Sequence, residues 1–74
     1  LSGPVETVLH HRLSDRELQV LNAIGRGLSV GQIAENLHLS VHTIHTYRRR
    51  VLQKLHLDTN ADIIRYAIEN DLIR

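Results

Sequence analysis

Basic and histidine side chains are concentrated in one stretch of this 74-residue chain. All eight acidic residues lie outside residues 36–57, although the net charge of the whole chain is only +1. The cationic and imidazole groups of that stretch are Arg48, Arg49, Arg50, Lys54, His38, His42, His45 and His56. Such a local asymmetry is typical of a surface that binds a polyanion, and a solvated basic helix face is the plainer alternative.

The side chains of this stretch have the groups that read base edges. A guanidinium donates two parallel hydrogen bonds to guanine, an imidazole donates or accepts at a base edge, and a threonine methyl packs against thymine. The predicted base contacts are His45, Thr46 and Arg49. The predicted contacts to flanking phosphates are Thr43, Tyr47, Arg48, Arg50 and Lys54. For Tyr47, a half-buried core position with a solvated hydroxyl is the alternative.

Four helix-start signals position these side chains. The caps and their first-turn partners are Ser14 with Glu17, Ser29 with Gln32, Ser40 alone, and Thr59 with Asp62. The third helix is predicted at residues 41–55, and its apolar face holds Val41, Ile44, Val51, Leu52 and Leu55. Its opposite face holds His42, His45, Thr46, Arg49 and Gln53. No segment alternates like a strand, so the predicted fold class is all-α, a compact four-helix domain with a central helix-turn-helix.

The second and third helices form the unit that matters for binding. Because a turn of about three residues joins them, the two helices must cross at a large angle, and the small Ala34 allows close approach. The N-terminal half of the longer helix is then left protruding, and the major groove of B-DNA, about 12 Å wide, admits one helix. The N–H groups at the start of the short helix, at Ser29 and Val30, are further candidate phosphate contacts.

Composition restricts the class of protein. Cysteine is absent, and no apolar run approaches the roughly 20 residues that span a bilayer, so we expect a cytoplasmic protein without membrane contact. Residues 1–12 are interpreted as a linker or flexible N-terminal tail, and residues 13–74 as one domain, too small for an enclosed catalytic cavity. No nucleophile–base pair and no Gly-rich phosphate loop is recognisable, so we expect no enzymatic activity and no cofactor.

Several motifs, in order along the chain, resemble the LuxR/GerE-type helix-turn-helix. They are LSDRELQVL at residues 13–21, GLS at 27–29, IAENLHLS at 33–40, TI at 43–44, KLHL at 54–57 and AIENDLI at 67–73. The resemblance covers residues 13–73. It implies the output domain of a bacterial transcription regulator that binds double-stranded DNA, as in the NarL/FixJ-like response regulators of two-component systems.

The resemblance also implies partners and site residues. Domains of this family bind DNA as homodimers, commonly through the fourth helix, and RNA polymerase is a further candidate partner. Matched residue by residue, the base-reading positions again fall on His45, Thr46 and Arg49. His45 stands where Lys or Arg is common, Tyr47 where His is frequent, and Asp71 where Gly often closes the fourth helix.

The fourth helix has more apolar positions than one core-facing stripe needs. Ile63 and Ile64 are adjacent, so they cannot both point straight inward. We therefore expect a homodimer contact among the apolar positions Ala61, Ile64, Ala67 and Ile68.

Three other interpretations compete with DNA binding. A protein-interaction module would dock an acidic partner on the basic face, and an enzyme fragment would use its histidines as acid–base groups in a pocket. A metal site at His38, His42 and His45 has a suitable spacing, but no Cys or carboxylate neighbours the set, so a dedicated metal site is disfavoured.

Overall fold

The computed structural model describes residues 8–73, and within them all regular structure is helical. A 3-10 helix at Leu9–Arg12 comes first, and four α-helices follow it. The helices are α1 at Asp15–Gly25, α2 at Val30–Leu37, α3 at Val41–Leu55 and α4 at Asn60–Glu69. The predicted all-α fold with four helices is confirmed.

Every α-helix begins at a side-chain cap that the sequence predicted. The hydroxyls of Ser14, Ser29 and Thr59 each accept a hydrogen bond from the backbone N–H three residues later. In these three helices the Glu, Gln or Asp side chain at that later position accepts in turn from the N–H of the cap residue. Ser40 accepts from the Thr43 N–H and thereby fixes the first turn of α3. These local bonds explain why the helices begin where they do.

Gly27, with φ of 87°, closes α1, and the other three helix ends are closed by a non-glycine residue in the left-handed backbone region. These residues are His38 after α2, His56 after α3 and Asp71 after α4, with φ of 57°, 57° and 58°. The N–H group of the residue that follows each of them donates to a carbonyl oxygen five residues back, at 2.8–2.9 Å. Asp71 therefore takes the conformation for which glycine is common at this point, and histidine and aspartate are among the residues that tolerate it.

The core is built from aliphatic side chains of all four α-helices. Leu21, Ile33, Ile44 and Ile63 are its largest fully buried residues. Helix α1 lies at the centre and packs against α3 and α4, while α2 packs mainly against α3. Ile63 is fully buried and the adjacent Ile64 only partly so, which confirms that the two cannot both face inward.

The N-terminal boundary differs from the predicted one. Residues 1–12 were expected to be a linker or tail, but Leu9–Arg12 form the 3-10 helix, which packs against α3, and Leu9 contacts the core. The His10 ring also lies 2.9 Å from the Tyr66 hydroxyl on α4, and burial together with the adjacent His11 lowers the pKa of His10. The folded unit therefore extends to the N-terminal side of residue 13. Residues 1–7 lie outside the described part of the chain.

Candidate nucleic-acid interface

Apolar packing between α2 and α3 and a hydrogen bond at the start of α3 stabilise the turn that joins them. Ile33 and Ala34 on α2 and Ile44 on α3 are buried at the joint, so the two helices meet through small and branched apolar groups. The Ser40 hydroxyl also lies 2.9 Å from the Thr43 hydroxyl. A rigid joint of this kind fixes the direction in which the N-terminal half of α3 protrudes.

The three predicted base-contact residues lie on the solvent side of α3. His45 and Arg49 are exposed, and within residues 8–73 neither side chain forms a hydrogen bond or a salt bridge. Thr46 is partly exposed, and its hydroxyl donates to the His42 carbonyl oxygen at 3.2 Å, inside the helix. The Thr46 hydroxyl proton is thus in use, whereas its methyl group remains available for an apolar contact.

The predicted phosphate contacts of α3 surround this face but differ in burial and in whether their side chains already form hydrogen bonds. Arg50 is exposed and, within the described residues, makes no hydrogen bond. The Nε atom of Arg48 donates to the Asn60 side-chain oxygen, so α4 positions this guanidinium. Thr43 and Tyr47 are partly buried, and the Tyr47 ring packs against the core. Tyr47 therefore has the apolar packing of the alternative interpretation, which leaves only its hydroxyl for a phosphate.

The start of α2 offers backbone donors beside α3. The N–H of Ser29 donates to Gln32 Oε1 at 2.9 Å and is therefore already paired. In the part of the chain that the structure describes, the N–H groups of Val30 and Gly31 have no acceptor, as is usual in the first turn of a helix. The backbone donors for a phosphate at this helix are thus those of Val30 and Gly31.

Lys54 has a partner that the sequence did not reveal. Its Nζ atom forms a salt bridge of 2.7 Å with Glu17 Oε1 and donates to the Arg12 carbonyl oxygen at 3.3 Å. Glu17 is 2% exposed and also accepts from the Ser14 N–H. Burial raises the pKa of Glu17, but the hydrogen bonds from Lys54 and Ser14 outweigh it, and the net pKa is lowered. Lys54 thus joins α3 to α1, and its predicted phosphate contact would compete with this ion pair.

The apolar positions of α4 divide into buried and exposed ones. Ala67 is fully buried, which corrects its expected place at a dimer contact, because its methyl group is part of the core against Gly25 of α1. Ile68 is 60% exposed, Ala61 is exposed and Ile64 is partly buried. The accessible apolar surface of α4 is therefore formed by Ala61, Ile64 and Ile68.

For three residues on or beside α3, the sequence indicated no role in DNA binding or predicted the wrong environment. Val41 was assigned to the apolar face of α3, yet it is 47% exposed, although Ile44 in the same turn is fully buried. His42 is exposed on the predicted polar face but was given no DNA contact. Asn60 had no local signal, since its contact with Arg48 joins residues twelve positions apart.

The described residues contain neither a metal-binding cluster nor a membrane-spanning helix. Between residues 8 and 73, no group of three His, Cys, Asp or Glu side chains is arranged to hold a metal ion. His38, the first member of the proposed metal set, closes α2 in the left-handed region. In the same part of the chain, none of the helices has the length and apolar character needed to cross a membrane.

A short helix, a tight turn and a longer capped helix whose protruding half is basic and free of acidic residues define a helix-turn-helix DNA-binding domain. Residues 11–67 match the family described as bacterial regulatory proteins, luxR family. The chain belongs to this family, whose members are DNA-binding transcription regulators. The resemblance of the sequence motifs is thereby confirmed.

Several curated relatives are response or transcription regulators. The chain is 36% identical over 61 residues to the oxygen regulatory protein NreC of Staphylococcus carnosus, covering 82% of this chain and 28% of that protein. It is 38% identical over 60 residues to the response regulator UvrY of Escherichia coli, covering 81% and 28%. It is 42% identical over 60 residues to the positive transcription regulator BvgA of Bordetella pertussis, covering 81% and 29%. The chain thus spans less than a third of the length of these relatives.

Proposed function

We propose that this domain reads a specific double-stranded DNA sequence with the N-terminal half of α3 in the major groove. The observation that carries the proposal is that, within residues 8–73, the side chains of Arg49 and His45 have no partner on a capped helix. A guanidinium that is not neutralised inside the protein keeps its full interaction for a ligand. Arg49 is exposed on a segment with no acidic residue between positions 36 and 57.

Base reading and phosphate binding are assigned to different side chains. Arg49 donates two hydrogen bonds to guanine, while His45 and Thr46 contact neighbouring base edges. Arg50, Arg48, the Tyr47 hydroxyl and the N–H groups of Val30 and Gly31 hold phosphates on both sides of the groove. Phosphate contacts set the register and base contacts set the sequence preference.

A homodimer on DNA is the second part of the proposal. The exposed apolar surface of α4, formed by Ala61, Ile64 and Ile68, is self-complementary in chemistry and lies on a helix other than the recognition helix. A twofold dimer through this surface presents two copies of α3 to successive major-groove segments. Two half-sites multiply the specificity of one short recognition helix.

The relatives support a proposal about the longer protein to which this domain belongs. Because the chain matches less than a third of each response regulator, we infer that it is the output part of a longer two-component regulator. Such a regulator acts in the bacterial cytoplasm, where the chromosome is, and RNA polymerase is its candidate protein partner. The domain itself is a binding module and has no enzymatic role in this scheme.

The test is a fluorescence-anisotropy titration of the domain against random-sequence duplex pools at several salt concentrations. We expect binding that weakens steeply with salt, because each neutralised phosphate releases counterions, together with enrichment of a subset of sequences. Salt-sensitive binding without enrichment would contradict sequence reading by the isolated domain. Absence of binding at low salt would favour the protein-interaction module instead.

Dimerisation is tested separately with Ile68→Asn and the matched control Val8→Asn, which changes an exposed valine at the start of the 3-10 helix. Sedimentation equilibrium of the protein with an enriched duplex should show two protomers per duplex for the control. Ile68→Asn should bind as one protomer or with at least tenfold weaker cooperativity, since it places a polar amide in the apolar contact. Equal stoichiometry and affinity for both variants would exclude this surface.

A further inference from the structure

Val41 is the exposed large apolar side chain of α3. In the part of the chain that the structure describes, the large apolar residues open to solvent are Val8, Val41 and Ile68. Val41 is 47% exposed and does not belong to the side chains that pack against the core. Core packing therefore does not account for an apolar residue at this position.

The backbone places Val41 at the leading end of the proposed recognition helix. It is the first residue of α3, directly after the Ser40 cap, whose hydroxyl accepts from the Thr43 N–H at 3.0 Å. Residues four positions apart lie on one side of a helix, so Val41 lies one turn before His45. In helix-turn-helix domains, the N-terminal residues of the second helix contact base edges.

The chemistry of valine restricts what it can recognise. Its side chain neither donates nor accepts a hydrogen bond, and its branched carbon holds one strongly preferred rotamer in a helix. The one apolar group that a base pair presents in the major groove is the C5-methyl of thymine. A fixed pair of valine methyls is suited to cover that group and to exclude water from it.

Building on the proposed function, we propose that Val41 is a specificity-determining residue that contacts the C5-methyl group of a thymine in each half-site. The contact distinguishes thymine from cytosine. The base pair concerned lies nearer the N-terminus of α3 than the base pair read by Arg49. Val41 adds an apolar contact to an interface whose other assigned contacts, apart from the Thr46 methyl group, are hydrogen bonds and charges.

Thr46 also has a free methyl group and is the natural competitor for such a contact. The two residues are five positions apart, which is about 140° around an α-helix. Val41 and Thr46 therefore point toward different base pairs. A loss of affinity on removal of a thymine methyl can accordingly be assigned to one residue or the other.

The experiment uses the duplex most enriched in a selection with the wild-type domain, in which each thymine in turn is replaced by deoxyuridine. This replacement removes one methyl group and leaves all hydrogen-bonding groups in place. We expect one position per half-site at which wild-type binding weakens about fourfold, the effect of losing one buried methyl. Val41→Ser should bind the thymine and uracil duplexes equally at that position.

Thr46→Ser is the matched control, because it removes a methyl from the same helix while keeping the hydroxyl. It should retain the fourfold difference at the Val41 position. Val41→Ala, which keeps an apolar β-carbon and favours helix, is a second variant should Val41→Ser unfold, and it should retain at most half of the difference.

Three results would overturn the inference. The first is that deoxyuridine replacement leaves wild-type affinity unchanged at every position. The second is that the loss of affinity on deoxyuridine replacement persists in both Val41 variants. The third is that Val41→Ser weakens binding to all duplexes equally, which would indicate a sugar–phosphate contact. A wild-type domain that enriches no sequence would instead contradict the proposed function, and the inference with it. An enriched duplex without a Val41-dependent methyl effect contradicts the inference alone.

Discussion

The two parts of α3 use their cations in opposite ways. In the C-terminal third, residues 51–55, Val51 and Leu55 are buried, and Lys54 forms a salt bridge to the buried Glu17. In the first two thirds, residues 41–50, the side chains of Arg49 and Arg50 are exposed and have no partner within residues 8–73. One helix is therefore anchored in the fold at one end and presents binding groups at the other.

This difference teaches that stability and ligand binding are separable within a single helix. A charge paired inside the protein contributes to the free energy of folding and has little left for an external anion. An unpaired, hydrated charge contributes almost nothing to folding and keeps its interaction for DNA. Variants of the two parts should accordingly change different measured quantities.

The largest expected effect is on stability and comes from the anchored part. Leu55→Ala should lower the free energy of unfolding by about 2–5 kcal/mol, because it removes buried methyl groups and leaves a cavity. Urea denaturation followed by circular dichroism measures the loss. The control Gln53→Ala, exposed on the same helix, should change stability by less than about 0.5 kcal/mol. Equal losses for the two variants would contradict the assigned anchoring.

The next effect is on binding and comes from the exposed part. Arg49→Ala should weaken the enriched duplex by about 1–3 kcal/mol and relax the base preference at one position. Arg50→Ala should weaken all duplexes alike, since a phosphate contact does not depend on sequence. Selection from random pools with each variant measures both changes. If the two substitutions had the same effect on every sequence, the assigned roles would be wrong.

A smaller effect is expected at the salt bridge that anchors Lys54. Glu17→Gln should lower the free energy of unfolding near pH 7 by about 1–2 kcal/mol, less than for a fully buried pair. The reason for the smaller loss is that the Lys54 side chain keeps 39% of its surface in water. Urea midpoints of the two proteins measure the difference.

The stability that the Glu17–Lys54 salt bridge contributes depends on pH, and the lowered pKa of Glu17 sets the sign of that dependence. A carboxyl group with a lowered pKa in the folded state stabilises the fold above its ordinary value of 4.5. That contribution is lost as the pH falls below 4.5 and through the lowered pKa. The difference between wild type and Glu17→Gln should therefore be largest near neutral pH and shrink in acid. A difference that stays constant down to pH 2 would rule out this linkage.

The smallest effect is on the salt dependence of affinity, and it distinguishes an exposed cation from one paired inside the protein. Arg50→Met should reduce the slope of log affinity against log salt concentration by about 1, because one phosphate contact is lost. Lys54→Met should leave that slope nearly unchanged, since its charge is already used by Glu17. Anisotropy titrations across a salt series measure the slopes. An equal reduction for both variants would restore Lys54 as a phosphate contact.

The sequence alone determined the helices and the helix-turn-helix. Helix caps are bonds between residues three positions apart, and helical periodicity places residues 3–4 positions apart on one face, so both are visible along the chain. The start of α3 at Val41, its end at Leu55 and the exposure of Arg49 were predicted in this way and are confirmed. The candidate base contacts follow from the same local rules.

Only the tertiary structure decided which side chains meet across the fold. The partners of Lys54 and Arg48 are 37 and 12 positions away in sequence, and Ala67 is buried because Gly25 of α1 lies against it. Val41 is 47% exposed whereas Ile44 in the same turn is fully buried, a difference that periodicity cannot show. Local hydrogen bonds set the helices, whereas the packing of α1 against α3 and α4 sets which charges are paired inside the protein and which stay exposed.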